Sequence, residues 1–343
     1  MEPINVFDYE ILAEERMNPI YWDYFAGGSD DEVTVRTNQS EFGRMRLRPR
    51  VLVDVSHCDT STSVLGTPVG MPIMVAPSAF HTMAHPDGEC ATVAGAGAAG
   101  ALMIAATDAS CSLEEIARAA SGPLWFQLYL YPTREIAGGL VQRAEAAGYR
   151  AIVLTVDMPT LGNRERDLRN HMTIPPPPLV RANFVGIEAE GHAWRNLSWD
   201  DVDWLRTVTS LPIVLKGVLA AEDALLALEH GVSAIIVSNH GGRQLDSCVT
   251  SLEVLPEIVE AVAGRCEIYV DGGIRRGTDV LKALALGARA VLVARPVLWG
   301  LAVDGSRGVQ RVLEILHTEL ERAMILTGSP TLASINRSLL KVT

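Results

Sequence analysis

Short apolar runs rich in β-branched residues recur along the chain. Between them, apolar residues return every three or four positions. The runs predict strands at Ile73–Ala76, Leu102–Ala105, Leu124–Leu128, Ala151–Val156, Ile213–Lys216, Ala234–Ser238, Ile268–Asp271 and Ala290–Val293. The intervening pattern predicts helices over Leu113–Ala120, Glu135–Ala147, Ala221–Glu229 and Asp279–Leu286. Gly148, Gly231 and Gly287 stand where the last three should stop. Eight strands alternating with helices predict an α/β protein built on a parallel (β/α)8 TIM barrel rather than an open sheet. Before residue 70, Phe7–Met17 and Asn18–Ala26 have helical spacing and predict an N-terminal helical extension packed over the barrel.

Successive strands start 29, 22, 27, 62, 21, 34 and 22 residues apart. The spacing of 62 requires a long loop after strand 4, about residues 158–210. That stretch holds Pro175–Pro178, which excludes interior helix and central strand, and also Trp194, Trp199 and Trp204. Long loops at this end of a barrel form lids over substrate sites, so a lid is expected here. The whole chain, 1–343, reads as one domain with its barrel at about 71–328.

Composition narrows the class. The 343 residues are 48% hydrophobic and 20% charged, enough apolar surface for a large core and too little charge for wholesale disorder. The net charge of −12 argues against general affinity for nucleic acid or anionic membrane. Cys90–Thr107 is an uncharged run of 18 residues, but its many Ala and Gly residues predict a short packed helix entering a strand rather than a membrane span. Five cysteines, none in a CxxC pair, argue against a disulfide framework or a structural zinc site. The N-terminus lacks the features of a secretory signal and the C-terminus lacks a peroxisomal tripeptide, so a cytoplasmic protein is expected.

Strand ends carry the chemistry. Strand 3 ends in Gln127 and Tyr129, strand 4 in Thr155 and Asp157, strand 5 in Lys216. Strand 6 runs into Ser238-Asn239-His240-Gly241-Gly242-Arg243, strand 7 into Asp271-Gly272-Gly273-Ile274-Arg275, and strand 8 into Ala294-Arg295. In a barrel these groups converge on one mouth, the usual place of an active site. Gly272-Gly273 with Arg275 and Arg295 reads as a phosphate site, since barrels commonly bind phosphate after strands 7 and 8. No GxGxxG follows a first strand, so a nicotinamide-binding Rossmann domain is not indicated. Lys216 closes an apolar strand and needs a partner that is or becomes anionic. A reduced flavin meets that need; a Schiff-base lysine is the competing reading.

The segments Ser238-Asn239-His240-Gly241-Gly242-Arg243-Gln244-Leu245-Asp246 and Asp271-Gly272-Gly273-Ile274-Arg275-Arg276-Gly277 resemble the FMN-dependent 2-hydroxy acid oxidases and dehydrogenases. So do Gln127-Leu128-Tyr129, Leu154-Thr155-Val156-Asp157, Met83-Ala84-His85-Pro86 and Asp23-Tyr24. The resemblance runs from about Phe7 to Gly328. It implies FMN as cofactor, His240 as the base that takes the substrate proton, and Asp157 as its imidazolium-stabilising partner. It implies that Arg243 and Arg164 clamp the substrate carboxylate with Tyr24, and that Tyr129 faces the substrate hydroxyl. Lys216 would lie beside flavin N1 and the C2 carbonyl. Gln127 and Thr155 would bond the isoalloxazine edge, and the Ala76–Ala79 backbone, with Pro77 and Ala79, would lie along its face. Ser238 and Asp271 would belong to the cofactor site, while Arg275, Arg295 and the Gly273 and Ala294 backbone would hold the phosphate.

Departures from the family concern the substrate. Ala106 stands where a hydroxyl residue is common, Asp108 where glycolate oxidase has a tryptophan in the pocket wall, Asn163 for an arginine, and Ala294 for a glycine. The loop after strand 4 is shorter than in most members and is not a continuous apolar anchor. The expected activity is oxidation of a 2-hydroxy acid to the 2-oxo acid, with O2 reoxidising the flavin to give hydrogen peroxide. A dehydrogenase with another acceptor and an FMN-barrel isomerase are the alternatives. The opened pocket implies a substrate bulkier than glycolate, mandelate-like. An ionised Asp108 would accept a hydrogen bond from a distal hydroxyl, as in 4-hydroxymandelate, or pair with a cationic group, as in a basic aliphatic 2-hydroxy acid, and would repel a second carboxylate; the alternative is that it points to solvent. Relatives are often homotetramers, so a homo-oligomer is expected.

Overall fold

The structure, a computed structural model, describes residues 2–130, 133–187 and 197–342. Eight parallel strands close into a barrel: β1 (Ile73–Val75), β2 (Met103–Ala105), β3 (Leu124–Leu128), β4 (Ile152–Thr155), β5 (Ile213–Val218), β6 (Ala234–Val237), β7 (Glu267–Asp271) and β8 (Ala290–Val293). Each pairs with its neighbours in chain order, and β8 closes on β1 with Val291 opposite Ile73 and Val293 opposite Val75. All eight expected strands are present, and none differs by more than two residues at an end. The four expected helices between strands are equally close, and Gly148, Gly231 and Gly287 follow three of them at positive φ of 88°, 69° and 108°.

Alternation along each strand makes two cores. Trp125, Tyr269, Ile104, Val153, Ile236 and Leu292 point inward and are fully or nearly fully buried. Ile73, Val75, Met103, Phe126, Ile152 and Val291 point outward, under the helices. Burying each such side chain stabilises by roughly 1.5–3 kcal/mol. The interior is stoppered at the strand starts by a hairpin the apolar pattern does not predict, Thr62–Val64 with Thr67–Val69. Its Val64 and Val69 join the interior cluster, and the Leu65 amide donates to Glu267 at 3.1 Å.

The run Cys90–Thr107 takes in all but the first two residues of helix Gly88–Ala98 and then β2. No helix among the described residues is long and apolar enough to cross a membrane. The expected N-terminal helices are present as Val6–Arg16 and Pro19–Ala26, and a third, Val33–Ser40, follows. Asn18 caps the second by accepting from the Ile20 amide at 2.9 Å, with Pro19 at its first position. The C-terminal helix Arg295–Thr327 breaks at Asp304 and Gly305 and packs on Gly88–Ala98 and Val6–Arg16.

The loop after β4 needs correction. It does not extend to residue 210, because helix Trp199–Val208 occupies its end. The Ser198 amide donates to Asp201 at 2.9 Å to start that helix, and the Ser-Trp-Asp-Asp order is the signal that marks it. Trp199 and Trp204 therefore pack outside the barrel, not over its mouth. Trp199 stacks on His230 with centroids 5.1 Å apart, and Trp204 lies 5.4 Å beneath the Arg134 guanidinium. Trp194 lies outside the described residues.

Candidate active site

The strand ends converge on a cleft at the C-terminal mouth. Every residue expected in the site lines it except Asp157 and Ser238, which stand directly behind the wall.

His240 is held in a left-handed conformation, φ 57°, immediately after β6. Its Nδ1 donates to Asp157 Oδ1 at 2.9 Å, which leaves Nε2 with its lone pair for the cleft. Burial pushes the His240 pKa down and outweighs the Asp157 charge that would raise it. For Asp157, burial pushes upward, but the charges of His240 and Lys216 and the imidazole hydrogen bond together hold it below the usual carboxylate range. The resulting state is a neutral imidazole on a carboxylate, the form a general base requires. Sequence reasoning missed Gly217, which makes room for this pair. At φ 111° it sits at the bulge in β5, and a Cβ there would come within 2.5 Å of Asp157 Cβ.

Arg164 and Arg243 come from different loops and meet beside this pair. Arg164 donates through Nε to the Arg243 carbonyl, and through a terminal nitrogen to Gln244 Oε1, both at 3.3 Å. Gln244 Nε2 in turn donates to the carbonyls of Asp157 and Thr160, tying the loops after β4 and β6 together. Arg243 donates to the Tyr24 and Gly27 carbonyls and lies 4.8 Å over the Tyr24 ring. Burial, then the neighbouring Arg164, brings the Arg243 pKa down to about 10, so it stays cationic at neutral pH. Tyr129 is raised by burial and by the Asp157 and Asp108 charges, so its hydroxyl keeps its proton.

A second group of polar residues lies toward β3 and β5. Gln127 Nε2 donates to Thr155 Oγ1 at 3.0 Å, and Gln127 Oε1 accepts from the Thr107 amide at 3.1 Å. Lys216 Nζ donates to Ser238 Oγ at 3.0 Å and lies 3.5 Å from Asp271. Ser238 thus positions Lys216 and does not itself face the cleft.

The expected phosphate locus differs in detail. Gly273, φ 81°, is glycine because the N-terminal helix crosses it: a Cβ would lie 1.9 Å from the Asn38 carbonyl oxygen. Arg295 is committed to three backbone carbonyls, of Phe25, Gly241 and Gly27, at 2.8, 3.0 and 2.9 Å. Arg275 stacks 4.7 Å over Trp299, and its Nε is buried without a partner among the described residues. The N-terminus of helix Arg295–Thr327 opens on the same wall through Ala294 and Pro296.

Two supporting residues carried no sequence signal. Asn38 and Asn239 exchange amide hydrogen bonds at 2.9 and 2.8 Å, pinning helix Val33–Ser40 to the loop after β6. Arg181 pairs through Nε with Asp108 Oδ1 at 3.0 Å. Asp108 therefore lines the cleft as one half of an ion pair rather than pointing to solvent.

Residues 13–342 match the model of the FMN-dependent dehydrogenase family. The chain is 48% identical to an L-lactate oxidase from Nostoc sp., covering 98% of each chain. It is 46% identical to glycolate oxidase from Spinacia oleracea, covering 98% of this chain and 95% of that one. A crystal structure of mandelate oxidase with benzoyl-formic acid superposes with a TM-score of 0.94 at 43% identity, covering 99% of this chain and 98% of that one. The cleft fits FMN. Besides Arg275 Nε, buried Asp271 Oδ1 has no partner among the described residues and lies in the same wall. A donor and an acceptor held dry in one cleft suit a ligand that brings both an anion and ring N–H or hydroxyl groups.

Proposed function

The chain belongs to the FMN-dependent dehydrogenase family, and we propose that it oxidises 2-hydroxy acids to 2-oxo acids, with O2 as the final electron acceptor and hydrogen peroxide as co-product. The observation that carries this reading is the Asp157–His240 pair, 2.9 Å apart, facing a cleft it shares with Arg164 and Arg243. Two guanidiniums suit the substrate carboxylate, and Tyr24 and Tyr129 border the same space. His240 Nε2 takes the substrate proton; Asp157 stabilises the imidazolium that forms. FMN supplies the two-electron acceptor. Lys216, Gln127, Thr155 and Asp271, with Pro77 and Ala79 along one side, would hold its ring. Arg275, the Gly273 and Ala294 backbone and the rim formed by Arg295 would hold its phosphate. Ser238 contributes by fixing Lys216.

The chain is acidic overall, yet five cations face this cleft: Arg164, Lys216, Arg243, Arg275 and Arg295. That contrast concentrates small anions at the mouth. Met158, Leu161 and Ile174 from the loop after β4 add apolar wall, which supports a substrate bulkier than glycolate, of the mandelate type. The same reading makes the protein a cytoplasmic homotetramer. Exposed Val51, Leu52, Leu168, Val180 and Val185 offer apolar surface for subunit contacts, and light scattering tests the assembly.

The decisive experiment is anaerobic addition of glycolate, lactate and mandelate to the yellow protein. Bleaching of the flavin, followed by colour recovery in air with one peroxide per substrate, is the expected result. No bleaching with any 2-hydroxy acid refutes the reaction. Bleaching without recovery in air refutes O2 as acceptor and leaves a dehydrogenase.

A further inference from the structure

We propose that Arg181 is a positioning residue that sets which 2-hydroxy acids the pocket accepts, acting through Asp108; the inference rests on the 2-hydroxy acid reading above. Asp108 lines the cleft with Tyr129, Met158, Leu161 and Ile174. Arg181 does not reach the lining. It stands behind Asp108, on the far part of the loop after β4, with Nε 3.0 Å from Oδ1. The two side chains are only 15% and 9% exposed, so solvent screens their charges weakly.

The loop has anchors of its own beside this pair. The Ala182 amide donates to the Ala109 carbonyl at 3.0 Å, Asn183 Nδ2 to the Thr107 carbonyl at 2.9 Å, and the Leu113 amide to Asn183 Oδ1 at 2.8 Å. Arg143 adds a bond to the Asn183 carbonyl at 2.8 Å. Arg181 also donates to the Ile174 carbonyl at 3.3 Å and so braces part of the cleft wall, but the four bonds above hold the stretch at Ala182 and Asn183 independently of it, and what it adds beside Asp108 is charge.

Every substrate of this reaction is already an anion at its carboxylate. A carboxylate in the wall of the same pocket would repel it. Arg181 cancels that charge from behind while leaving Asp108 as the surface the substrate meets. The wall then accepts a hydrogen bond from a distal hydroxyl, tolerates an uncharged ring, and rejects a second carboxylate. The substrate class is a 2-hydroxy acid with a neutral side chain, preferably ending in a hydrogen-bond donor.

Two substitutions move the wall charge by one unit in opposite directions, and together they cancel. The holoenzymes to compare are wild type, Asp108→Asn, Arg181→Met and the double variant, with mandelate, 4-hydroxymandelate and 2-hydroxyglutarate as substrates. Asp108→Asn should raise kcat/KM for 2-hydroxyglutarate relative to mandelate by about tenfold or more, and lower the 4-hydroxymandelate preference. Arg181→Met should raise KM for all three by about tenfold while kcat moves less, and adding Asp108→Asn should relieve that defect. A change under about threefold in the Asp108→Asn ratio overturns the proposal. So does a double variant as impaired as Arg181→Met, which marks a purely structural role. If Arg181→Met loses FMN, the Asp108→Asn ratio alone decides. If no 2-hydroxy acid bleaches the wild-type flavin, the proposed reaction itself has failed, and this inference falls with it.

Discussion

The two ends of the barrel solve opposite problems. At the strand starts, Val64 and Val69 plug an interior filled by Trp125, Tyr269 and aliphatic side chains. At the strand ends, Lys216 and Arg275 are buried and Arg243 and Arg295 half-buried, and burial is the largest influence lowering the three arginine pKa values, that of Arg295 to about 9. The first arrangement gains stability from apolar burial. The second gives stability up, because desolvating a charge costs more than a neutral isostere would. Arg243 and Arg295 keep their charges by donating to the backbone carbonyls of Tyr24, Phe25 and Gly27, and Lys216 keeps its charge beside Ser238 and Asp271. The plugged end serves as the stability reserve that lets the mouth carry chemistry.

This contrast predicts that damage at the two ends will be separable. The largest effect expected is at the mouth. His240→Ala should slow flavin reduction by several orders of magnitude, since a general base alone supplies about 10²–10⁴-fold and this one also borders the substrate. FMN content and melting temperature should stay close to wild type. Anaerobic stopped-flow measures the rate; reduction within about tenfold of wild type would remove His240 from the role and blur the division between the ends.

At the plugged end, Trp125→Ala should cost about 3–5 kcal/mol in stability by opening a cavity inside the barrel. The fraction that stays folded should still reduce its flavin at a rate within a few-fold of wild type. Denaturant unfolding of the holoprotein, paired with rate per bound FMN, checks both halves. A rate that falls as far as in His240→Ala would show that interior packing and the mouth are one mechanical unit.

How much of this was readable in advance follows the same division. The barrel strands were legible to within two residues because each is a short, almost wholly buried apolar run, and three of them follow helix-stop glycines. The plug was not, since Thr62–Val64 and Thr67–Val69 are three-residue strands with mixed faces. The charged mouth was legible because Lys216, His240, Arg275 and Arg295 interrupt or end apolar runs. Their support was not: Asn38 lies some 200 positions from Asn239, and nothing local to either announces the pair. Arg181 is likewise one arginine in a proline-rich loop until the fold brings it to Asp108. Trp199 and Trp204 misled because aromatic residues in an insertion suggest a lid, whereas a capping sequence had already begun a barrel helix.

A smaller effect is expected for the scaffold of the mouth. Asn38→Ala removes both reciprocal amide bonds, while Asn239 keeps the Val249 carbonyl and the Gly242 amide at 3.2 Å each. The cost should be about 1–3 kcal/mol, read as faster FMN release and lower melting temperature, with reduction of the bound flavin little changed. A reduction defect without FMN loss would instead place Asn38 in the chemistry.

The smallest effect concerns acidity, and it tests whether the mouth is as dry as its packing implies. Burial lowers the His240 pKa below its ordinary 6.5, and the Asp157 charge only partly offsets this. A base must be deprotonated to act, so kcat/KM falls as pH drops through its pKa in the free enzyme. With that pKa below 6.5, more than half of His240 is neutral at pH 6.5. The loss in kcat/KM between pH 8 and pH 6.5 should therefore be less than about twofold. Asp157→Asn removes the group that raises the pKa, so its acid limb should move to still lower pH while its plateau falls for lack of imidazolium stabilisation. Flavin-reduction rates at limiting mandelate across this range make the measurement. A wild-type loss well beyond twofold at pH 6.5 would mean that Asp157 and solvent outweigh burial. The mouth would then hold its charges by hydration, and the contrast with the plugged end would narrow to one of residue type alone.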